Sequence, residues 1–289
     1  MKRDRFNGAM LRFVLGLLIV FAAGSNTPAA DFPQGLILHF NFDQAETGGV
    51  ITDRTGRNNN GRAFGAKWIA TGKQGGAYEF PATNSYIRVS NTPALNVTQA
   101  TFAVWFKISK SDAIGRYIFE QLLDNGYALG IAGKSKDKDG NNKGKLCMEI
   151  NGQRCLSDSI VTDGLWHHGA ATFDGENLKL YVDGQLQKQV VAWHGEIAAN
   201  TNDLTIGLNR SNPVPQETGL SFDGAIDEMM IFNHALSDAE IKAVIASVKP
   251  KFTKDQVAQR LIELKELYDR GLLTKDFYDR KVKECEVTP

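Results

Sequence analysis

Between residues 35 and 232, short runs of hydrophobic residues alternate with polar and turn residues, which predicts a series of β-strands. The runs are rich in β-branched and aromatic residues. They span residues 36–42, 85–90, 101–108, 116–122, 170–173, 178–182 and 204–208. Asp174-Gly175 and Asp183-Gly184 are strong hairpin signals. Because no helical periodicity separates the runs, the pattern predicts an all-β fold of two antiparallel sheets packed face to face, large enough for a jellyroll sandwich.

The pattern changes to helical spacing after the last predicted strand. A capping box at Ser237 and Glu240 predicts a helix that ends the sandwich, and Pro250 marks the boundary after it. Residues 252–286 then place apolar side chains at helical spacing with a break at Gly271, which predicts a small C-terminal α-helical hairpin. Two short helices bury too little surface to be stable alone. The hairpin is therefore expected to pack on the sandwich, to associate with a second copy of the chain, or to hold a partner.

The N-terminus has the pattern of a secretory signal peptide. Four basic residues precede an apolar run at residues 13–23, and small residues follow at 27–30. The run is shorter than the roughly 20 residues that span a bilayer as a helix. Ser25 stands where a lipoprotein signal requires cysteine, so no lipid anchor is predicted. We expect a cleaved signal peptide over residues 1–30, no transmembrane span, and a secreted, periplasmic or cell-envelope location.

Charge argues against one class of partner. The chain has 33 Lys plus Arg and 33 Asp plus Glu, and removal of the signal segment would leave it mildly acidic. No basic stripe with interleaved aromatic residues is present in the sequence. Nucleic acid is therefore not an expected partner.

Export would place the three cysteines in an oxidising compartment, where disulfides form. A three-residue loop at 150–152 would put Cys147 and Cys155 directly opposite each other, at a separation that a disulfide tolerates. A two-residue turn at Asn151 and Gly152 would offset the cysteines by one position. We predict a Cys147–Cys155 disulfide, which leaves Cys285 as a free thiol or an intermolecular link.

Several segments of the predicted sandwich form one ordered set of motifs. They are residues 165–175, 178–184, 206–207, 222–228 and 231–237, with Asp43, residues 53–61, 86–89 and 100–105 upstream. In this order they resemble the concanavalin A-like, laminin-G-like jellyroll family. The resemblance implies a jellyroll domain over residues 31–248 and a role in recognition, which in this family is often of carbohydrate.

A second resemblance concerns the C-terminal region. The pattern from Leu261 to Phe277 resembles the short C-terminal SHOCT domain, a helical hairpin found at protein termini. The resemblance implies that residues 252–286 are an interaction element, and also a place where copies of the chain could form a homo-oligomer. The alternative is that the hairpin is a helical cap on its own sandwich.

The jellyroll resemblance also implies one structural calcium ion near the first strand and the loop after it. Calcium takes six to eight oxygen ligands. The positions that match the motif are Asp43, Asp53, Asn58, Asn60 and Asp227. The alternative is that Asp53 and the asparagines only cap turns through side-chain hydrogen bonds to the backbone.

Carbohydrate binding would require aromatic rings that stack on sugar faces beside polar groups. Trp68, Trp193 and Tyr127 lie in or next to predicted loops and are the candidate ligand contacts. Trp105 lies within an apolar strand and is predicted to be part of the core.

The sequence lacks the signs of a glycosidase of this fold. Related laminarinases use carboxylates that alternate along one strand, and neither Glu-x-Asp-x-Glu nor Glu-x-Asp-x-x-Glu is present. Asp227 and Glu228 are adjacent, as are His167 and His168, so each pair is expected to point to opposite faces of a strand. A non-catalytic protein is predicted.

Two functions remain from the sequence. The first is an exported, non-catalytic recognition module that binds carbohydrate through the sandwich and assembles through the hairpin. The second is a structural protein of the cell envelope that binds another protein and uses the sandwich as a scaffold.

Overall fold

The structure is a computed structural model that describes residues 32–81, 85–108, 115–122, 125–133, 142–208, 222–248 and 254–285. The predicted signal peptide lies outside these residues. The strands are β1 (Leu36–Phe40), β2 (Val50–Ile51), β3 (Gly61–Phe64), β4 (Lys67–Ile69), β5 (Ala77–Phe80), β6 (Tyr86–Val89), β7 (Ala100–Lys107), β8 (Arg116–Leu122), β9 (Gly126–Ile131), β10 (Lys145–Ile150), β11 (Gln153–Ile160), β12 (Trp166–Phe173), β13 (Asn177–Val182), β14 (Gln185–Ala192), β15 (Leu204–Ile206) and β16 (Gly224–Phe232). The helices are α1 (Asp238–Ser247), α2 (Lys254–Asp269) and α3 (Lys275–Glu284).

The strands form two antiparallel sheets. Sheet A has the order β14-β13-β12-β7-β16-β5-β4, and β1 also pairs with β16. Sheet B has the order β11-β10-β9-β8-β15-β6-β3-β2. Neighbours such as β7 and β16, or β15 and β6, are far apart in the chain, so the connections cross between sheets as in a jellyroll. The predicted two-sheet antiparallel sandwich with short C-terminal helices is confirmed.

The main core lies between the two sheets and follows from the alternation along each strand. On β7, Phe102, Val104 and Phe106 face this core. Ala103 and Trp105 belong to a second apolar cluster, so they lie on the outer face of sheet A. Trp105 is therefore buried, as the sequence predicts, but beneath the outer face rather than between the sheets.

Helix α1 covers part of that outer face. Its start is the predicted capping box, in which Ser237 Oγ accepts a hydrogen bond from the Glu240 N–H, and Glu240 Oε2 accepts one from the Ser237 N–H. Ile241 and Val244 are buried in the cluster that contains Trp105. The helix thereby shields an apolar surface that a free-standing sheet would expose to water.

The C-terminal helices form the predicted hairpin with a small apolar cluster of their own. Val257, Leu264 and Cys285 are buried in it. Tyr268 on α2 stacks on Tyr278 on α3, with ring centroids 4.7 Å apart. Thr274 caps the start of α3 by accepting the Phe277 N–H. Among the described residues, the helices are all too short or too polar to cross a bilayer.

Two glutamine side chains join the edges of the two sheets. β11 is an edge strand of sheet B, and β14 is an edge strand of sheet A. Gln189 Oε1 accepts the Leu156 N–H at 2.7 Å, and Gln187 Oε1 accepts the Asp158 N–H at 2.9 Å. The side-chain oxygens of these two glutamines on β14 therefore accept hydrogen bonds from backbone N–H groups of β11 that would otherwise point to solvent.

The predicted Cys147–Cys155 disulfide is not formed, and both residues are free thiols. The register pairs Met148 with Cys155 and Ile150 with Gln153, so the turn is the two-residue alternative. Asn151 and Gly152 both have positive φ, at 45° and 78°, as a type I′ turn requires. The cysteines are offset by one position and point to opposite faces of sheet B. Cys155 lies in the core, whereas Cys147 accepts a hydrogen bond from Arg154 on the outer face.

We expect that a reducing agent leaves the thermal stability unchanged. A disulfide that closed this hairpin would contribute about 2–4 kcal/mol, which would be lost on reduction. Burial raises the pKa of Cys155 to about 12, so this thiol is also a poor nucleophile for disulfide exchange. Thermal unfolding with and without dithiothreitol, together with thiol counting under denaturing conditions, checks the prediction. A large drop in Tm on reduction would contradict it.

Candidate functional site

The three aromatic residues predicted as ligand contacts do not form one site. Tyr127 is 1% exposed, and its ring packs on Phe102 with centroids 4.5 Å apart, so it belongs to the core. Trp68 lies on β4 and Trp193 follows β14, which are the two opposite edges of sheet A. Both tryptophans are half-buried against the core. The sequence misplaced Tyr127 because Gly126 resembles a loop residue, whereas it begins strand β9.

Asp53, a predicted calcium ligand, organises its own loop. Its Oδ1 accepts the N–H groups of His39 and Thr55, and its Oδ2 accepts the N–H of Asn59. Asn60 Oδ1 in turn accepts the Asp53 N–H. These contacts are those of the turn-capping alternative. The side chain of Asn58, which has a φ of 62°, is exposed on the same loop.

Asp227 and Glu228 form a second polar centre, on the outer side of sheet A. A β-bulge follows Asp227 in the pairing of β16 with β7, and Glu228 has a φ of 48°. Asp227 Oδ2 accepts the N–H groups of Lys73 and Gln74, while Glu228 Oε2 lies 2.7 Å from His39 Nε2. His39 and Asp227 both lie outside the inter-sheet core. The expectation that the two carboxylates point to opposite faces is therefore wrong, because the bulge reorients Glu228.

The residues of the predicted calcium set do not fit a calcium ion in this arrangement. The carboxylate oxygens of Asp53 and Asp227 face N–H donors, and a donor proton points to where a cation would have to lie. Asp43 Oδ2 accepts the amide of Asn41 at 2.6 Å. Among the described residues, no group of three or more His, Cys, Asp or Glu side chains is positioned to hold a metal ion.

We expect Asp227 to make the stability fall as pH rises. Burial raises its pKa from 3.8 to about 8, so the folded state holds the proton more tightly than the unfolded state. The stability that this tightly held proton contributes is therefore complete below about pH 4 and is lost as pH rises to 8 and beyond. In Asp227→Asn, which cannot ionise, the free energy of unfolding should decline less between pH 5 and pH 9, as measured by urea unfolding.

Asp174→Asn is the matched control for that measurement. Asp174 is exposed on a hairpin turn, and hydrogen bonds from backbone N–H groups lower its pKa although burial opposes them. Its removal should leave the slope between pH 7 and pH 9 as in the parent. An Asp227→Asn variant with the same alkaline decline as the parent would contradict the prediction.

The two histidines on β12 lie in different environments. His168 is 1% exposed and packs on Trp105, and burial lowers its pKa to about 4, so the ring is neutral. His167 lies between Asp183 Oδ2 at 2.8 Å and Asp163 Oδ1 at 3.0 Å. Although burial opposes it, hydrogen bonds to these carboxylates raise the pKa of His167.

A row of polar residues crosses the outer face of sheet B from edge to edge. Arg88 pairs with Arg62 on one side and with Thr205 on the other, and Glu149 pairs with Arg154. Partners in an antiparallel ladder share a face. In strand order from β2 to β11, the row is Val50, Arg62, Arg88, Thr205, Glu120, Ala128, Glu149 and Arg154. We call it the polar row.

Aromatic rings lie beside the polar row on the same face. Phe64 and Tyr86, which are cross-strand partners, stack with ring centroids 4.8 Å apart. Tyr117 on β8 is paired with Gly130. Because Leu129 and Ile131, the neighbours of Gly130, face the core, Gly130 and Tyr117 face outward. Tyr86 lies two residues before Arg88 on β6. Tyr117 lies three residues before Glu120 on β8, but a β-bulge between them adds one residue, so the offset along the strand is again two. The rings are thus level with one another, two strand steps or roughly 10 Å apart.

A small pocket of about 50 Å³ opens beside Tyr117. Gly130 and Cys147 form part of its lining, together with Glu149 and Arg154. The Arg154 Nε lies 3.7 Å from Glu149 Oε2, and its Nη2 donates to Cys147 Sγ at 3.4 Å. Burial and the nearby Glu149 raise the pKa of Tyr117 to about 12, so its hydroxyl remains a hydrogen-bond donor at neutral pH. A half-buried ring beside a carboxylate and a guanidinium can bind a flat polar ligand.

Sequence patterns did not single out this face. Tyr117 lies in an apolar run that predicts a core strand, and Arg62 and Arg88 lie in different segments whose pairing is not local. Glu120 and Glu149 flank Ala128 on separate strands, so a search for carboxylates along one strand does not relate them. The available signal was the outward position of these residues in each alternating strand.

Comparisons with known proteins support one fold. A family model described as the concanavalin A-like lectin/glucanases superfamily matches residues 81–242, more than half of the chain. The match ends before α2 and α3, so the resemblance of residues 252–286 to the SHOCT domain stays a prediction. No curated protein matches the sequence.

Solved structures with the same architecture include a binding domain and a domain of an arabinanase. The binding domain of Paraclostridial Mosquitocidal Protein 1 has a TM-score of 0.57 and 16% identity, covering 75% of this chain and 53% of that chain. Domain 4 of AbnA, a GH43 extracellular arabinanase from Geobacillus stearothermophilus, in complex with arabinotriose, has a TM-score of 0.56 and 18% identity, covering 72% of this chain and 97% of that chain.

A third structure is the botulinum neurotoxin serotype D ligand binding domain in complex with N-acetylneuraminic acid. It has a TM-score of 0.57 and 16% identity, covering 75% of this chain and 52% of that chain. The chain thus spans about half the length of the Paraclostridial and botulinum binding domains that it matches. At these identities the likeness shows the fold.

Proposed function

Because the chain belongs to the concanavalin A-like lectin/glucanases superfamily, we propose that it is a non-catalytic recognition module that binds carbohydrate on the outer face of sheet B. The observation that carries the proposal is the alignment of aromatic rings beside the polar row. Sugars present apolar C–H faces, which stack on such rings, and hydroxyl groups, which need polar partners at fixed positions.

The geometry favours an oligosaccharide over a single sugar. Tyr86 and Tyr117 are separated by strand β15, at a distance of about two strand steps, so one sugar ring cannot stack on both. Between them the exposed member of the polar row is Arg88, whose guanidinium can donate to sugar oxygens, whereas Thr205 and Glu120 are buried. A ligand that runs across the strands would meet an aromatic ring at each end, Arg88 beside Tyr86, and Glu149 and Arg154 beside Tyr117.

The fold relatives are consistent with this proposal. One is a domain in complex with arabinotriose, and another is a domain in complex with N-acetylneuraminic acid. The proposal for this chain rests on its own outer face, because the identities are too low to transfer a binding site. The basic and apolar N-terminus supports export of the module, which would bring it to extracellular or envelope glycans.

The alternative is an interaction protein of the cell envelope that uses the C-terminal hairpin. Ile262 and Leu272 are 55% and 60% exposed there. Exposed apolar side chains on a small hairpin are suited to contact with another protein. A free oligosaccharide should compete with a glycan partner but should not affect a protein–protein contact at the hairpin.

We expect Tyr117→Ala to weaken carbohydrate binding by about tenfold or more, because it removes a stacking ring. A glycan array that includes arabinotriose identifies the ligand, and isothermal titration measures affinity for the glycan with the strongest signal. Tyr117→Phe keeps the ring and loses only the hydroxyl, so it separates stacking from hydrogen bonding.

Trp193→Ala is the control for the aromatic residues that the sequence favoured. Trp193 lies at an edge of sheet A and stacks on Phe173, so its loss should leave affinity unchanged in a variant whose circular dichroism shows a folded sandwich. An array without any bound glycan would contradict the proposal. Loss of binding in Trp193→Ala but not in Tyr117→Ala would move the site to sheet A.

A further inference from the structure

Arg62 and Arg88 place two positive charges directly opposite each other. They are cross-strand partners on β3 and β6, and both side chains are exposed. Like charges at such positions destabilise a sheet. Arg88 Nε lies 3.7 Å from Asp203 Oδ2, whereas Arg62 has no ion-pair partner in the part of the chain that the structure describes. The sheet therefore carries a repulsive pair that an anion placed between the guanidinium groups would relieve.

A buried hydroxyl lies next to this pair. Thr205 is the neighbour of Arg88 in the polar row and is 0% exposed. Its Oγ1 has no hydrogen-bond partner among the described residues. A buried hydroxyl without a partner is costly, and bound water commonly satisfies such an atom in native proteins. Because Thr205 is covered, the groups that a ligand can reach at this part of the outer face are the exposed guanidinium groups of Arg62 and Arg88.

The adjacent rings define what the anion is attached to. Phe64 and Tyr86 lie two residues along the same strands from Arg62 and Arg88, and the Arg88 guanidinium lies 5.3 Å from the centre of the Phe64 ring. That contact restricts the Arg88 side chain and orients its planar donors. A sugar ring stacked on this aromatic pair would hold a ring-attached acidic group beside the two guanidinium groups.

Further along the polar row, no second cluster of positive charge follows among the described residues. Glu120 is buried, and Glu149 is paired with Arg154, whose Nε lies 3.7 Å from Glu149 Oε2. A uniformly charged polyanion laid across the sheet would therefore find no further pair of cations beyond Arg62 and Arg88. The arrangement suits a ligand that is acidic at one end and neutral along the rest of its length.

From these contacts we infer that the outer face of sheet B selects an oligosaccharide with a terminal acidic sugar, whose carboxylate is bound between Arg62 and Arg88. The inference rests on the proposed carbohydrate function and specifies its substrate class. Guanidinium groups bind carboxylates through paired, charge-assisted hydrogen bonds, so two of them can discriminate strongly against the uncharged sugar.

The test compares two forms of one ligand. The probes are an oligosaccharide that ends in a uronic acid and the same molecule with that carboxylate reduced to an alcohol, with isothermal titration on the full chain. We expect the acidic form to bind at least tenfold more tightly and to lose that advantage at high salt. A matched pair of sialylated and desialylated oligosaccharides extends the test to a second acidic sugar.

Variants then locate the carboxylate. Arg62→Ala and Arg88→Ala should each weaken binding of the acidic form about tenfold or more and leave binding of the reduced form unchanged. Arg62→Lys keeps the charge but not the paired donors, and should restore only part of the affinity. Lys188→Ala removes an exposed cation from β14 in sheet A and should change neither. Because Arg62 contributes repulsion, Arg62→Ala should not lower the Tm.

The possible outcomes separate the two levels of the proposal. If the acidic and reduced forms bind with equal affinity, the acidic specificity is overturned and carbohydrate binding stands. The same holds if the arginine variants lose affinity for both forms equally. Binding of neither form, together with an empty glycan array, would overturn both. Binding of highly charged polyanions alone, without dependence on Tyr117, would indicate a nonspecific electrostatic surface.

Discussion

The register of the strands in sheet B decides what its outer face can do. On β6, Ile87 and Val89 are almost completely buried between the sheets, which obliges Tyr86 and Arg88 to point outward. A slip of one residue would expose two aliphatic side chains and bury an arginine, at a cost of several kcal/mol. The buried residues of sheet B therefore determine which residues lie on its polar outer face.

Hydrogen bonds to the protein backbone explain the burial of Asp227 in the second polar centre, on sheet A. Asp227 binds the backbone of Lys73 and Gln74, and so it attaches the loop before β5 to the middle of the sheet. A glycine of this loop leaves room for that approach: a Cβ on Gly72 would lie 2.8 Å from Asp227 Oδ2. Buried carboxylates in this family could suggest metal or acid–base chemistry, but here their partners are N–H groups of the fold itself.

The sequence predicted what depends on local periodicity and little of what depends on pairing between distant segments. The strands, the sandwich and the Ser237 capping box follow from neighbours in the chain, and the structure has them. The turn at Asn151 and Gly152 was assigned one residue too long, because both loop lengths satisfy the same glycine preference. Arg62, Arg88 and Thr205 become neighbours only through the strand order of sheet B, which alternation along a strand does not encode.

The glutamines between β11 and β14 have a consequence for how the protein meets other chains. An exposed edge strand is a template on which another chain can add a strand, either as a ligand or as the start of an aggregate. Here Gln187 and Gln189 already bond to the amides that such a strand would need. Strand addition at this edge would first have to break these bonds, so a partner that approaches it must recognise side chains instead of free backbone groups.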